Sequence, residues 1–166
     1  PARSLSLYEP YTRAMDTAPN ARRFAPLPAE RAALWADFTS GRMVEFFPGY
    51  VGLRFEEVRT DYARLRLPYR PQLNQPHGIV HGGAIATLID TVVVPAIASA
   101  YDSPRVLLTI TMNVNYLAAV AGEDAVAEGW VERRGKSMVF CRVEVRTASA
   151  DLAATASLVY KVATPR

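Results

Sequence analysis

Cysteine and histidine are both scarce. The 166-residue chain holds one cysteine, Cys141, and two histidines, His77 and His81. A lone cysteine forms no internal disulfide. The two histidines stand four positions apart in a loop that also holds Gly78, with no ligand cluster nearby, so no metal and no other cofactor is expected. Also missing are a Gly-x-Ser-x-Gly nucleophile elbow and a phosphate-binding P-loop, internal repeats and low-complexity tracts, and a signal-peptide pattern at the start. These absences make a reducing, cytoplasmic setting the expectation. The most apolar stretch, Gly78 to Tyr101, is broken by His81, Asp90 and Pro95, which argues against a membrane span. Charge of one sign is nearly balanced by the other: 19 Lys and Arg against 16 Asp and Glu give a net +3. That excess is too mild to point to nucleic acid, though it suits a small anionic ligand.

Core material is abundant, with 50% hydrophobic and 21% charged residues, as in a globular chain of about one domain. Residues 1–48 read as an N-terminal arm followed by a helix that begins at Pro28, carries Leu34, Trp35 and Phe38 at helical spacing, ends near Gly41 and resumes over Met43 to Phe47. Residues 49–166 read as one α+β domain. Alternation predicts a strand pair there, with Val51, Leu53 and Phe55 on one face, and Ala63, Leu65 and Leu67 facing one way while Arg64 and Arg66 face the other. A loop rich in turn formers then leads into a helix over Gly82 to Ala100 that is apolar on every side. Four alternating strands follow. In the first of them Val106, Leu108, Ile110, Met112, Val114 and Tyr116 share a face. Short turns make the neighbouring strands antiparallel, and the economical packing is a curved sheet wrapped around the apolar helix.

Asp90 is the anomaly of that helix, because an unpaired carboxylate among Leu, Ile and Val is costly. It must find donors or take up a proton; a bond to Thr87, Thr91 or a backbone group would satisfy it without chemistry. The mouth of the same helix, His81-Gly82-Gly83, offers free N–H groups and the positive end of the helix dipole, which suits a developing oxyanion. Tight loop packing explains the glycine pair equally well. Cys141, in mid-strand, reads as a small core residue.

The segment NQPHGIVHGGAIATLID, Asn74 to Asp90, resembles the signature of the hot-dog fold acyl-CoA thioesterases of the phenylacetate-degradation type. LLTITMNVNYLAAVAGE and RRGKSMVF resemble that family's later strand and hairpin. The likeness runs from about Val51 to Val162. It implies a hot-dog fold, acyl-CoA as substrate, and hydrolysis to a carboxylic acid and coenzyme A. By that resemblance Asp90 is the catalytic carboxylate, and Gly82 supplies the N–H that polarises the thioester. Gln75 or Asn74 assists at the carbonyl, and Thr109 orients water. Gly135, Lys136 and Ser137, with charge from Arg133 and Arg134, contact the nucleotide end of coenzyme A. His81 fixes the loop and Gly83 adjoins the substrate.

Seven residues of helix from Gly83 to Asp90 rise about 10 Å, whereas a polarising N–H and an attacking group must both lie about 3 Å from one carbonyl. One copy of the helix cannot supply both. A two-fold homodimer is therefore expected, as the resemblance also implies, with pairing of dimers into tetramers. Asp90 serves either as general base or as nucleophile through an anhydride. Two other readings stand beside hydrolysis: a hydratase or dehydratase of the same fold, and an acyl-CoA binder without turnover.

Overall fold

The structure, a computed structural model, describes residues 19–37 and 45–165. Its elements are α1 (Ala29–Asp37), α2 (Phe47–Val51), β1 (Arg54–Arg59), β2 (Tyr62–Leu67), α3 (Gly82–Ala98), β3 (Val106–Tyr116), β4 (Ala125–Arg134), β5 (Met138–Thr147) and β6 (Leu152–Ala163). The six strands form one sheet in the order β1-β2-β4-β5-β6-β3. Every neighbouring pair is antiparallel. This is the α+β hot-dog architecture the sequence implies. No helix among the described residues is long and apolar enough to cross a membrane.

The sheet curls around α3 because both sides contribute apolar surface that nothing else covers. Leu88, Ile89, Val92, Val93, Ala96 and Ile97 of the helix are buried in one cluster with Ala63, Leu65, Ala127, Val143 and Leu158 of the strands. Burying a side chain of this size removes it from water at a gain of about 1.5–3 kcal/mol. Helix and sheet lie close together at Gly129 of β4, where an added Cβ would lie 2.7 Å from Val92 Cγ1 and 3.1 Å from Val93 Cγ1. Valine side chains are stiff about χ1 and yield little. Gly129→Ala is accordingly expected to destabilise the fold by about 1–3 kcal/mol. Denaturant unfolding checks this, and a midpoint equal to the parent's would show that helix and sheet separate freely.

Several sequence expectations shift. Val51 lies in α2, not in a strand; Gly52 ends that helix at φ +87°, a left-handed conformation that favours glycine. Met43, Phe38 and Gly41 fall outside the described residues, while Leu34 of α1 points to solvent. The apolar helix stops at Ala98, two residues early, with Ser99 as its C-cap. Arg31 donates to the Ser99 carbonyl and Arg134 to that of Ile97 (2.9 Å), so cations close the negative end of the helix. Arg64 and Arg66 do face away from Ala63, Leu65 and Leu67, yet both are buried. Glu56 bridges both of them, and Asp124 lies 3.2 Å from Arg66. The outer face of β2 and β4 is in turn covered by residues 20–26: Phe24 stacks on Tyr62 at 5.4 Å, and Asn20 donates to Glu128 at 3.1 Å. Tyr62 donates to the same Glu128 carboxylate at 2.6 Å. Cys141 is buried in the core cluster, where burial pushes its thiol up to about 12. It stays protonated at neutral pH and is no nucleophile.

The largest departure is in β3. Its pairing with β6 slips by one residue between Thr109 and Thr111. This bulge reverses the alternation. Leu107 packs inward before it, Met112 and Val114 inward after it, and Val106, Leu108 and Ile110 are left exposed. The six even-numbered residues therefore do not share one face, and the bulge turns Thr109 toward α3.

Candidate active site

The loop before α3 is built to hold the helix mouth still. Gly78 adopts φ +80° and closes a tight turn, its N–H donating to the Gln75 carbonyl at 3.0 Å while the Gln75 N–H donates to that of Ile79 at 2.9 Å. Val80 N–H then bonds the Val120 carbonyl (2.9 Å) and His81 N–H that of Leu73 (2.8 Å). His81 is the N-cap. Its Nδ1 accepts from the Gly83 N–H at 2.8 Å, so that N–H is committed within the chain. The N–H of Gly82, by contrast, has no protein acceptor among the described residues. A first-turn N–H is unpaired by helix geometry, and here it carries the dipole's positive end into the open.

Gly82 lines a cleft of about 320 Å³ together with Gln75, Ile79, Tyr116, Leu117 and Val120, among others. Gln75 and Gly82 are thus brought together. Asn74 is not: its Nδ2 donates to the Tyr69 hydroxyl at 2.9 Å, and its Oδ1 is buried. Tyr116, which sequence reasoning assigned only to a strand face, stands over the helix mouth and donates to the Gly82 carbonyl at 2.9 Å.

Asp90 is two turns further along α3 and does not line this cleft. Nor is it enclosed on all sides, as the all-apolar helix suggested. It is half-buried on a stripe with Gly83, Thr87, Thr91 and Val94 that the sheet leaves uncovered. Thr87 and Thr91 do not serve it; each hydroxyl donates to a carbonyl one turn back, Gly83 at 2.9 Å and Thr87 at 2.7 Å. Its partners come from the sheet. Thr109 Oγ1 donates to Asp90 Oδ1 at 2.9 Å. Tyr160 reaches the same oxygen with its hydroxyl, which also lies 2.8 Å from the Asp90 carbonyl. Oδ2 accepts nothing from the described residues. Burial, and then the Asp90 carboxylate, raise the Tyr160 phenol above its ordinary value, so it is a neutral donor. Sequence reasoning did not single out Tyr160. The one available signal was a phenol on an otherwise aliphatic inward row.

The hairpin lies at the same end as Asp90. Thr109, Tyr160, Val139 and Arg134 form one row across β3, β6, β5 and β4, and Gly135, Lys136 and Ser137 are the exposed turn just beyond it. Gly135 N–H closes that turn on the Met138 carbonyl at 2.8 Å, and the Ser137 carbonyl accepts from Val162 N–H at 2.8 Å. Arg134 is committed elsewhere: it pairs with Asp61, donates to the Tyr101 hydroxyl at 3.1 Å and lies over that ring at 4.9 Å. Arg133 remains exposed.

A six-stranded antiparallel sheet wrapped around one long helix defines a hot-dog protein. The thioesterase superfamily model matches residues 77–154, and the chain belongs to that superfamily. A Halobacterium salinarum protein named as a candidate esterase is 36% identical over 103 residues, 59% of this chain and 68% of the relative. Among solved structures, the PaaI protein from the Escherichia coli phenylacetic acid degradation operon superposes with TM-score 0.68 at 18% identity, covering 80% of this chain and 93% of its own. A thioesterase of Pseudomonas aeruginosa does so with TM-score 0.71 at 18% identity, covering 76% and 92%. These two likenesses establish the fold.

Proposed function

We propose that the protein is an acyl-CoA thioesterase that works as a homodimer, each site combining the α3 mouth of one subunit with Asp90 of the other. The observation that carries this reading is the pairing, on one helix, of a cleft-lining Gly82 whose N–H has no acceptor among the described residues with a carboxylate whose Oδ2 accepts nothing from them. Gly82, assisted by Gln75, holds the thioester oxygen and stabilises the oxyanion. Asp90 of the other subunit activates water or attacks the carbonyl carbon, and coenzyme A leaves as the thiol. Lys136 and the hairpin backbone meet the nucleotide end of coenzyme A.

Dimer formation is supported by β3. It is an 11-residue edge strand with Val106, Leu108 and Ile110 exposed at 40%, 50% and 51%. A long apolar edge is a template for pairing with another strand, and a second copy of β3 satisfies both its backbone and its side chains. The same pairing covers the open stripe of α3 that carries Asp90. Such dimers pair again into tetramers by the family resemblance.

Incubation with a panel of aromatic and aliphatic acyl-CoA esters, read by release of free thiol, tests the activity. At least one ester is expected to be cleaved, with crotonyl-CoA separating hydrolysis from hydration, since hydration frees no thiol. The hydratase reading needs a histidine at the substrate's carbon atoms, whereas His81 Nδ1 is occupied as the helix cap. Tight binding of every ester without thiol release would replace the enzyme by a binder.

A further inference from the structure

Asp90 is held through one oxygen only, and a residue outside the expected site does half of the holding. We infer that Tyr160 is a positioning residue: with Thr109 it saturates Oδ1 of Asp90, fixes the carboxylate plane and leaves Oδ2 as the reacting atom. This rests on the reading of Asp90 as the reacting group. An aspartate carboxylate rotates about χ2 in a broad, shallow well, so a single hydrogen bond leaves its plane poorly defined. Two donors on one oxygen, approaching from neighbouring strands, define it. Thr109 and Tyr160 are cross-strand partners in the β3–β6 ladder, and the bulge that follows Thr109 is what aims its hydroxyl inward. Tyr160 is better anchored than Thr109. Only 2% of it is exposed, and its hydroxyl also touches the Asp90 backbone carbonyl at 2.8 Å, which ties the sheet to the helix turn that bears the acid. A nearly buried phenol has few rotamers to lose, so its oxygen is a fixed point against which the carboxylate is set.

The test is steady-state thiol release by Tyr160→Phe, Thr109→Val and the double variant, with Tyr62→Phe as control and thermal melts on each. Misplacing a reacting group by about 1 Å costs up to about 10²-fold. Tyr160→Phe is therefore expected to lower kcat about 10–100-fold with KM within about threefold of the parent. Thr109→Val, on the strand assigned to the dimer seam and therefore run with a check that the oligomeric state matches the parent's, is expected to show the same signature more weakly. Tyr62→Phe also removes a buried phenol bond to a carboxylate, but on the outer face; it is expected to lower the melting temperature and leave kcat alone. Tyr160→4-aminophenylalanine restores a donor on the same ring and is expected to recover most of the lost kcat. The inference is overturned if Tyr160→Phe keeps parental kcat, if its loss appears in KM instead, or if Thr109→Val is indistinguishable from the parent. Asp90→Asn, run alongside, separates the two claims: full activity there removes the reading of Asp90 itself, whereas inactivity there with parental Tyr160→Phe removes only the role of Tyr160.

Discussion

Asp90→Asn is expected to lower kcat for thioester hydrolysis by about 10²–10⁴-fold, the range associated with loss of a positioned acid–base group. Its interpretation is clean because the substitution preserves nearly everything else. The asparagine Oδ1 still accepts from Thr109 and Tyr160, so neither donor is left unsatisfied. Only Oδ2, which has no partner among the described residues, changes from an anionic oxygen to an amide nitrogen. A melting temperature close to the parent's is therefore expected beside the lost turnover. Thiol release within about tenfold of the parent would show that the reaction does not pass through this carboxylate.

Gly82→Pro addresses the other half of the site, and it removes one hydrogen atom of interest with little else at stake. Proline is well tolerated at the first helical position, where its missing N–H has no intrahelical acceptor in any case. His81 before it has φ −62° and ψ 137°, the extended conformation that a following proline demands. An added Cβ at Gly82 meets the Tyr116 ring at 3.4 Å, an ordinary contact. With folding preserved, loss of an oxyanion donor is expected to lower kcat about 10²–10³-fold. The two variants together also test the dimer. If each site takes its N–H from one subunit and its acid from the other, a mixed Asp90→Asn and Gly82→Pro dimer has one doubly defective site and one intact site. Random reassortment makes about half of the dimers mixed, so activity is expected to return to about a quarter of the parent's. Two dead variants that stay dead after demonstrated subunit exchange would place both groups in the same chain.

The overall architecture was legible because its signals are local and repeated. The uniformly apolar run from Ala84 to Ile97 demanded cover, and the alternating strands with short turns were the only elements available to give it. The N–H at Gly82 was legible for a related reason, since the first turn of any helix leaves donors unpaired. What was not legible depended on tertiary register. Strict alternation put Leu108 and Ile110 with Met112, but one extra residue at the bulge sends them to opposite sides, and no turn residue marks the place. The burial of Arg64 and Arg66 was not legible because the sequence does not display that Glu56 and Asp124 converge on that face. Asp90 looked fully enclosed because the helix is apolar all round, while the stripe that bears it is left open by the chain's own sheet. Tyr160 was not singled out because its ring belongs to the core cluster and only its hydroxyl reaches Asp90.

The bulge in β3 makes that strand two segments with opposite phase. Before residue 110 odd-numbered positions look toward the helix, and afterward even-numbered ones do. Sequence variation along the strand should thus be tolerated under two different rules, joined at a single residue. Regular pairing carried back from Thr111 without the bulge would instead set Ile110 opposite Tyr160, exchanging a hydroxyl for a branched alkyl group beside Asp90, whereas deleting residue 110 would leave Thr109 where it is.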